Sequence, residues 1–592
     1  MKNIFLLVLI VLLFGSISSA QSFRNDGNIN ISGGYLVITG TSTSESNAAL
    51  SIDGTLTLTG DWINNSTGTV ISGTGTNGTV IFKGTTTQII SGAAPQSNFE
   101  NITLDPLAIV DIPAGKYVTV NNTTTNNGTL NLRSDAGGTA SLITGSSSGA
   151  GTNAERYITG GLTGVAFWHN LSSPVSGQRI SDFVFDPANN VPVKFQSPDT
   201  LRGIEFYEEN PGKWSFFNNT NLPFSSLQTF ETAKGYMVRR NTNGVVTFTG
   251  TLNAGGSFGI AGARTKNGWN AVGNPYSSSL GINDGSTVNN FISTNLSNNN
   301  LDPSYFGAYF WNGSGYSIIN NSPPVTFIQP FQGFLVKVSE DNGLVEFESG
   351  MQAHGNPVFY KKSSSVWSEI LLNVQSSSNT AKTKILFRED MTRGLDISYD
   401  GGIFRNGENL VLYTSLVIDN GVDFSVQCLP SLENDSMLVP VGLDFTSGGL
   451  VSFSADISNL PAGYIAVLED RLHGIFTDLT VTGGKYEVAV DAGSSGTGRF
   501  FLHTVEGSNG ILIPEKPIIS IFAFKKEIFI NVRGSETASA GIYDLLGRKL
   551  ANYKLDSVDL NILNMADFKD GIYIVKVSDK GILNTTRVFI GE

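Results

Sequence analysis

The sequence predicts an all-β protein built from several domains, and three observations carry that expectation. Almost every apolar stretch is short, rich in Val, Ile, Thr, Phe and Tyr, and closed by Gly, Asn, Asp or Ser, which is how strands joined by turns read. Glycine accounts for 67 of 592 residues while Asp, Glu, Lys and Arg together supply only 15%, so turns are plentiful and helix-bracing charge pairs are few. A chain of this length is too long for one hydrophobic core and divides into several units.

Residues 1–20, MKNIFLLVLIVLLFGSISSA, have the build of a secretory signal peptide. Lys2 supplies the positive end, Ile4 to Phe14 the apolar run, and Ser18, Ser19 and Ala20 a small-residue cleavage site, so the mature chain is expected to begin at Gln21. The apolar run falls short of the ~18 residues that cross a bilayer. A lipid-anchored signal would place a cysteine at this junction, whereas the single cysteine is Cys428, in the strand-like run FSVQCLP. One thiol makes neither an internal disulfide nor a multi-thiolate metal site, and Cys428 reads as a buried structural residue.

Residues 21–154 repeat a short unit: GYLVITG at Gly34, GTLTLTG at Gly54, GTVIFKG at Gly78 and GTLNLRS at Gly128. In GTLTLTG, Leu56 and Leu58 point one way and the threonines the other, so each strand has one face to bury and cannot bury it alone. Stacking the units would bury it, the logic of a β-solenoid, although the uneven spacing leaves a β-sandwich open as well.

Residues 155–355 hold a duplication, with copies at about 155–260 and 261–355. FWHNLSSPVSG at Phe167 answers GWNAVGNPYSS at Gly268, IEFYEENPGKWSFFNN at Ile204 answers AYFWNGSGYSIINN at Ala308, and KGYMVRRNTNGVVTFTG at Lys234 answers QGFLVKVSEDNGLVEFES at Gln332. Trp168 matches Trp269, Pro174 matches Pro275 and Gly235 matches Gly333, in the same order and at similar spacing. Residues 356–505 continue with TKILFRE, LVLYTSLVI, GYIAVLED, KYEVAVD and GRFFLHTV, the rhythm of an antiparallel sandwich. Residues 506–516 lie in EGSNGILIPEKP, where Gly, Ser, Asn and Pro break that rhythm as a linker does.

Residues 517–592 carry IFINV, AGIYDLLGRKL, LNILNMADFKDGIYIVKV and TTRVFIG in that order. Through Tyr543, Asp544, Gly547 and Arg548, then Gly571, Tyr573, Val575 and Lys576, then Arg587 to Ile590, this segment resembles the type A C-terminal sorting domain of the type IX secretion system. The resemblance implies an immunoglobulin-like sandwich that is recognised by the type IX secretion machinery and removed after export. It implies delivery across the Gram-negative outer membrane via the periplasm, and for some cargo attachment to surface lipopolysaccharide. GWNAVGNPYSS, QPFQGFLVKV, RGLDISYDGGIF and GTGRFFLHTV resemble modules of large secreted surface proteins that carry this domain.

Motifs for chemistry are weak. GTGTNG, Gly73 to Gly78, has the letters of a dinucleotide loop, but the strand-like TVIFKG follows where a helix is required. GSSSG at Gly145 and GGSFG at Gly255 match a serine-hydrolase elbow as strings and lack its helix. His169, His354, His473 and His503 form no paired metal motif. Asp396 and Asp400 in GLDISYDGG are weak calcium candidates, with turn formation the plainer role, and no other metal or cofactor is expected. Glu205, Glu208, Glu209 and Glu231 receive no catalytic assignment, because the separation of two carboxylates is not a sequence property. Trp168 and Trp269 are candidates for an exposed ligand platform, to be weighed against core packing, as are Trp214 and Trp311. A net charge of −13 argues against nucleic acid, which needs a clustered basic surface.

The resulting expectation is a secreted or cell-surface protein, more adhesive or structural than enzymatic, with an unidentified surface, glycan or protein ligand. The alternative is an extracellular carbohydrate-binding protein or hydrolase. Exposure of Trp168 and Trp269 is the first discriminator.

Overall fold

Alternation alone leaves each strand of the N-terminal region with an apolar stripe that only another strand can cover. The computed structural model shows how it is covered, over residues 22–590 apart from 32–33, 46–48, 67–76, 162, 356–366, 419, 433–435, 508–518, 525, 533–536, 557–559 and 580–581. The expected cleavage site at Ala20 and Gln21, most of the expected linker and the first four residues of GTGTNG lie outside the described residues.

From Phe23 to Ile158 the chain is a β-solenoid. Strands Tyr35–Ile38, Thr55–Leu58, Thr79–Phe82, Gln96–Leu104, Tyr117–Asn126 and Ser141–Ser148 stack in parallel as one six-stranded sheet. A second stack begins at Phe23–Asn25 and ends at Thr152–Ile158. Register places Leu36, Leu56, Val80 and Ile102 in one column and Ile38, Leu58, Phe82 and Leu104 in the next. The threonines between them stay half-exposed, as in Thr55–Leu58, where Leu56 and Leu58 are buried. At ~4.8 Å per rung the second stack is roughly 30 Å tall.

A solenoid stack ends on an unpaired edge that must be covered. Strand Thr152–Ile158 pairs in parallel with Thr129–Leu132 on one side and antiparallel with Gly244–Leu252 of the duplicated region on the other. The sequence boundary at residues 154–155 therefore falls inside a strand that both regions share.

The duplication is repeated in the topology. The first copy runs strand His169–Leu171, helix Ile180–Phe185, then strands Asp199–Glu208, Lys213–Asn218, Tyr236–Val238 and Gly244–Leu252. The second runs strand Trp269–Gly273, helix Phe291–Ser297, then strands Ala308–Trp311, Tyr316–Ile319, Gly333–Lys337 and Gly343–Phe347. In each sheet the first strand pairs with the fifth element's strand, that one with the third, and the third with the fourth in this order.

The copies meet about a pseudo-two-fold axis. Ser172 N donates to Phe331 O at 2.9 Å, and its counterpart Gly273 N donates to Ala233 O at 2.8 Å. Leu171 bridges Gln332 while Val272 bridges Lys234, the same contact with the copies exchanged. Ala233 and Phe331 both adopt left-handed backbone, at φ 64° and 63°, an unfavourable state for side chains with a Cβ that turns each carbonyl toward the other copy. Trp214 and Tyr316, which also correspond, hydrogen-bond to each other across the axis, Nε1 to OH, at 2.9 Å. This is the self-complementary arrangement of a two-fold dimer, built within one chain.

Strands from Ser368–Gln375 to Phe500–Glu506 form one eleven-stranded sheet. Its halves fold over a shared core, with Phe453 and Phe500 packed at 4.8 Å between ring centroids. The final region, from Ile519–Phe524 to Ile582–Ile590, is a seven-stranded, two-sheet sandwich with its own core. Tyr573 and Val575 are buried in that core. Gly547, at φ 81°, closes a turn in which the Asp544 carboxylate accepts from Leu546 N and Arg548 N and pairs with Arg548 Nε. Lys576 lies over the Tyr543 ring at 5.0 Å, and Gly571 opens the last hairpin opposite Ile590. These residues build a sandwich.

Candidate functional site

The two tryptophans proposed as a platform part company. Trp269 is 7% exposed and sits edge-on against Tyr305, Tyr309 and Phe404, at 5.6, 4.7 and 4.6 Å between centroids. Phe404 comes from beyond the duplication, so a neighbouring region fills the space over Trp269 and removes it as a ligand platform. Trp168 is half-buried and lines an open cleft of about 320 Å³.

Trp311 faces this cleft from the second copy, so the walls come from both halves of the pseudo-dimer. The floor includes His169, Asn170, Gln332 and Gly333, and the last solenoid strand contributes Arg156 and Tyr157. A side chain on Gly333 would place its Cβ 2.1 Å from Asn170 Oδ1, so glycine is needed there for the copies to approach.

The cleft is rich in donors and, among the described residues, is lined by no carboxylate. Arg156 donates to Thr139 Oγ1 at 3.1 Å and forms no ion pair among the described residues. Burial lowers its pKa, but guanidinium remains charged in proteins. Asn170 is 6% exposed, and neither its Oδ1 nor its Nδ2 has a partner among the described residues. Trp311 Nε1 is likewise buried and unpartnered. Burial, with a smaller contribution from Arg156, lowers the pKa of His169. His169 Nε2 lies 3.0 Å from the Thr159 carbonyl, which only accepts, so Nε2 carries the proton and Nδ1 is left as an acceptor. Arg239 backs Trp168, with its guanidinium 5.8 Å from the ring centroid.

The corresponding place in the other half is filled from within the chain. Glu209 accepts hydrogen bonds from Lys266 N, Asn267 N and Gly268 N at 2.7, 2.6 and 2.8 Å and from Thr265 Oγ1 at 2.6 Å. Against the cost of burial, these donors hold its pKa down at about 2. Counting on from the cross-strand pairs Tyr207–Trp214 and Trp311–Tyr316, the counterpart of Glu209 is Gly313. Arg156, opposite Val246, has its counterpart in Ile260, opposite Val345. At these two matched positions one half thus has a carboxylate and an isoleucine, and the other a glycine and an arginine.

The remaining titratable clusters serve the scaffold. His354 stacks on Tyr117 at 5.3 Å and bonds Ser141 Oγ and Thr119 Oγ1, each at 2.8 Å, tying the end of the duplication to the solenoid. Burial pushes its pKa down to about 4, and Ser141 is 1% exposed. His473 and Arg499 converge on buried Asp470, and His503 on Glu469. Asp400 is fully buried and accepts from Cys428 N and Asp396 N, both at 2.7 Å, while Asp396 accepts from Thr392 N at 2.7 Å, so these carboxylates organise a turn. Burial raises Asp400 to about 7. Among the described residues no three His, Cys, Asp or Glu side chains cluster as a metal site would require. Buried Cys428 has its thiol pKa pushed up. GSSSG lies largely within strand Ser141–Ser148 and GGSFG at the start of strand Phe258–Gly262.

Sequence reasoning named Trp168, Trp311 and His169 singly and missed Arg156 and Asn170. The signal for Arg156 was slight: a cation in a strand, NAERYI, with only Glu155 beside it, and that carboxylate is taken by Arg133 at 2.6 Å.

Comparison with known proteins gives two family matches. The family described as Domain of unknown function (DUF8693) matches residues 54–503, and the Secretion system C-terminal sorting domain matches residues 524–591. No curated protein matches the chain. Among solved structures, a biofilm-associated protein BSP domain is 10% identical, covers 74% of this chain and 96% of its own, and has a TM-score of 0.18. A polysaccharide lyase is 10% identical, covers 38% of this chain and 39% of its own, and has a TM-score of 0.13. At such scores neither likeness bears on fold or activity.

Proposed function

The chain belongs to the DUF8693 family and carries a type IX secretion sorting domain, and from that premise we propose that it is an adhesive protein of the cell exterior. The sorting domain engages the type IX secretion machinery and directs the chain to the cell surface or the medium. In our reading the signal peptide takes the chain to the periplasm, and the sorting domain then takes it across a Gram-negative outer membrane. Adhesion is carried out by residues 22–506.

The observation that carries this reading is the union of an export domain with a stacked β-scaffold. Parallel rungs hydrogen-bonded along their whole length form a stiff support, and the pseudo-dimer is built directly onto its last strand. That arrangement suits presentation of a binding surface.

A chain ending at Val505 tests the route. It is expected to cross the inner membrane and accumulate in the periplasm, as read by fractionation and immunoblot; normal surface delivery would refute the assignment. Deleting residues 22–506 while keeping the sorting domain is expected to reduce cell attachment severalfold, and unchanged attachment on several surfaces would count against adhesion.

A further inference from the structure

We infer that the cleft between Trp168 and Trp311 binds a carboxylate-bearing sugar residue of an acidic polysaccharide. The proposal rests on the adhesive reading and names what is held.

Charge is the first argument. In a chain of net charge −13 this cleft is lined by Arg156 and, among the described residues, by no acidic side chain. An arginine without a carboxylate partner in a half-enclosed site is costly unless an anion completes it, and its planar fork matches a carboxylate.

The second argument is the twin. The same place in the other half is occupied by the chain's own Glu209 and overlaid by Phe404, whereas Gly313 stands where Glu209 would be. The open half therefore lacks the internal carboxylate that its twin possesses.

Shape and polar pattern specify a sugar. Two indoles on the cleft wall can pack against the C–H faces of a pyranose. Asn170 offers a donor and an acceptor without partners, and Trp311 Nε1–H a second donor, so a vicinal hydroxyl pair would satisfy groups now buried unpaired. The volume of about 320 Å³ lies at the small end of ligand sites, which run from ~300 to 1,000 Å³, and suits a single ring with its substituents.

The test is calorimetric titration of the purified full chain with hexagalacturonate and hexamannuronate, and with the carboxyl-reduced form of each. Saturable binding of at least one uronate is expected, with its reduced form bound at least tenfold more weakly. Arg156→Gln should erase that preference. Ala166→Glu, at an exposed position on the cleft rim, should weaken uronate binding at least tenfold without moving the unfolding midpoint. Failure of both uronates to bind, or wild-type binding by Ala166→Glu, would overturn the proposal. Attachment of cells displaying Ala166→Glu separates the two readings: if those cells adhere normally while deletion of residues 22–506 reduces adhesion severalfold, the sugar proposal fails and the adhesive reading stands.

Discussion

The two copies of the duplicated unit have the same strand order, the same helix position and the same hydrogen bonds at their junction, yet they treat one aromatic residue in opposite ways. In the second copy Trp269 is enclosed by Tyr305, Tyr309 and Phe404; in the first, Trp168 borders an open cleft. Part of the difference lies in the copies themselves, since Glu209 of one is matched by Gly313 of the other, and part lies in what packs beside them. The second copy lies against the region that contributes Phe404, and the first lies against the solenoid, whose last strand offers Arg156. A duplicated fold thus yields one structural joint and one open site according to a few residue differences and to what packs on each side.

The largest effect that would break this comparison is truncation of the paired tryptophans. Trp269→Ala removes a buried indole from an aromatic cluster and should cost about 3–5 kcal/mol, whereas Trp168→Ala should cost about 1 kcal/mol. Denaturant unfolding of the two variants checks this, and equal losses would mean that both sites are structural.

A smaller effect is expected from the carboxylate of the closed half. Glu209→Gln removes the charge from a group that accepts from three backbone N–H and one hydroxyl, and should cost about 2–3 kcal/mol at neutral pH. The Glu209 pKa lies at about 2 in the folded chain, below the ordinary 4.5. Its contribution is therefore fully present above pH 4.5 and is lost as pH falls from 4.5 toward 2. Melting temperatures of wild type and Glu209→Gln should differ at pH 7 and converge on acidification; a constant difference would remove the charge from the explanation.

The smallest effect concerns the axis. Trp214→Phe keeps most of the packing and deletes the hydrogen bond to Tyr316, so about 1 kcal/mol should be lost. Combined with Tyr316→Phe the loss should grow little, because both substitutions delete one bond; additive losses in this double-mutant cycle would show that the residues do not act as a pair.

Much of this organisation was legible in the residues. Alternation in GTLTLTG announced which leucines would be buried, and the paired phrases around Trp168 and Trp269 announced two copies before any axis was visible. The site was only partly legible. Trp168 stood out as a tryptophan, but Arg156 sits on a solenoid strand distant in sequence from Trp311, and nothing local marked Asn170 as unpartnered. The matching phrases left Trp168 and Trp269 open alike to a platform role or to core packing, and nothing near them in sequence pointed to Phe404.

The sequence by itself determined the all-β class, the repetition of short strands, the duplication and the sorting domain, because each is written in spacing and in motifs among near neighbours. Tertiary structure decided that the solenoid and the first copy share strand Thr152–Ile158, that the copies face each other about an axis, and that only one of two equivalent tryptophans borders open space. Those outcomes depend on which distant surfaces meet. Burial and charge pairing are properties of such meetings, so two corresponding segments came to opposite ends.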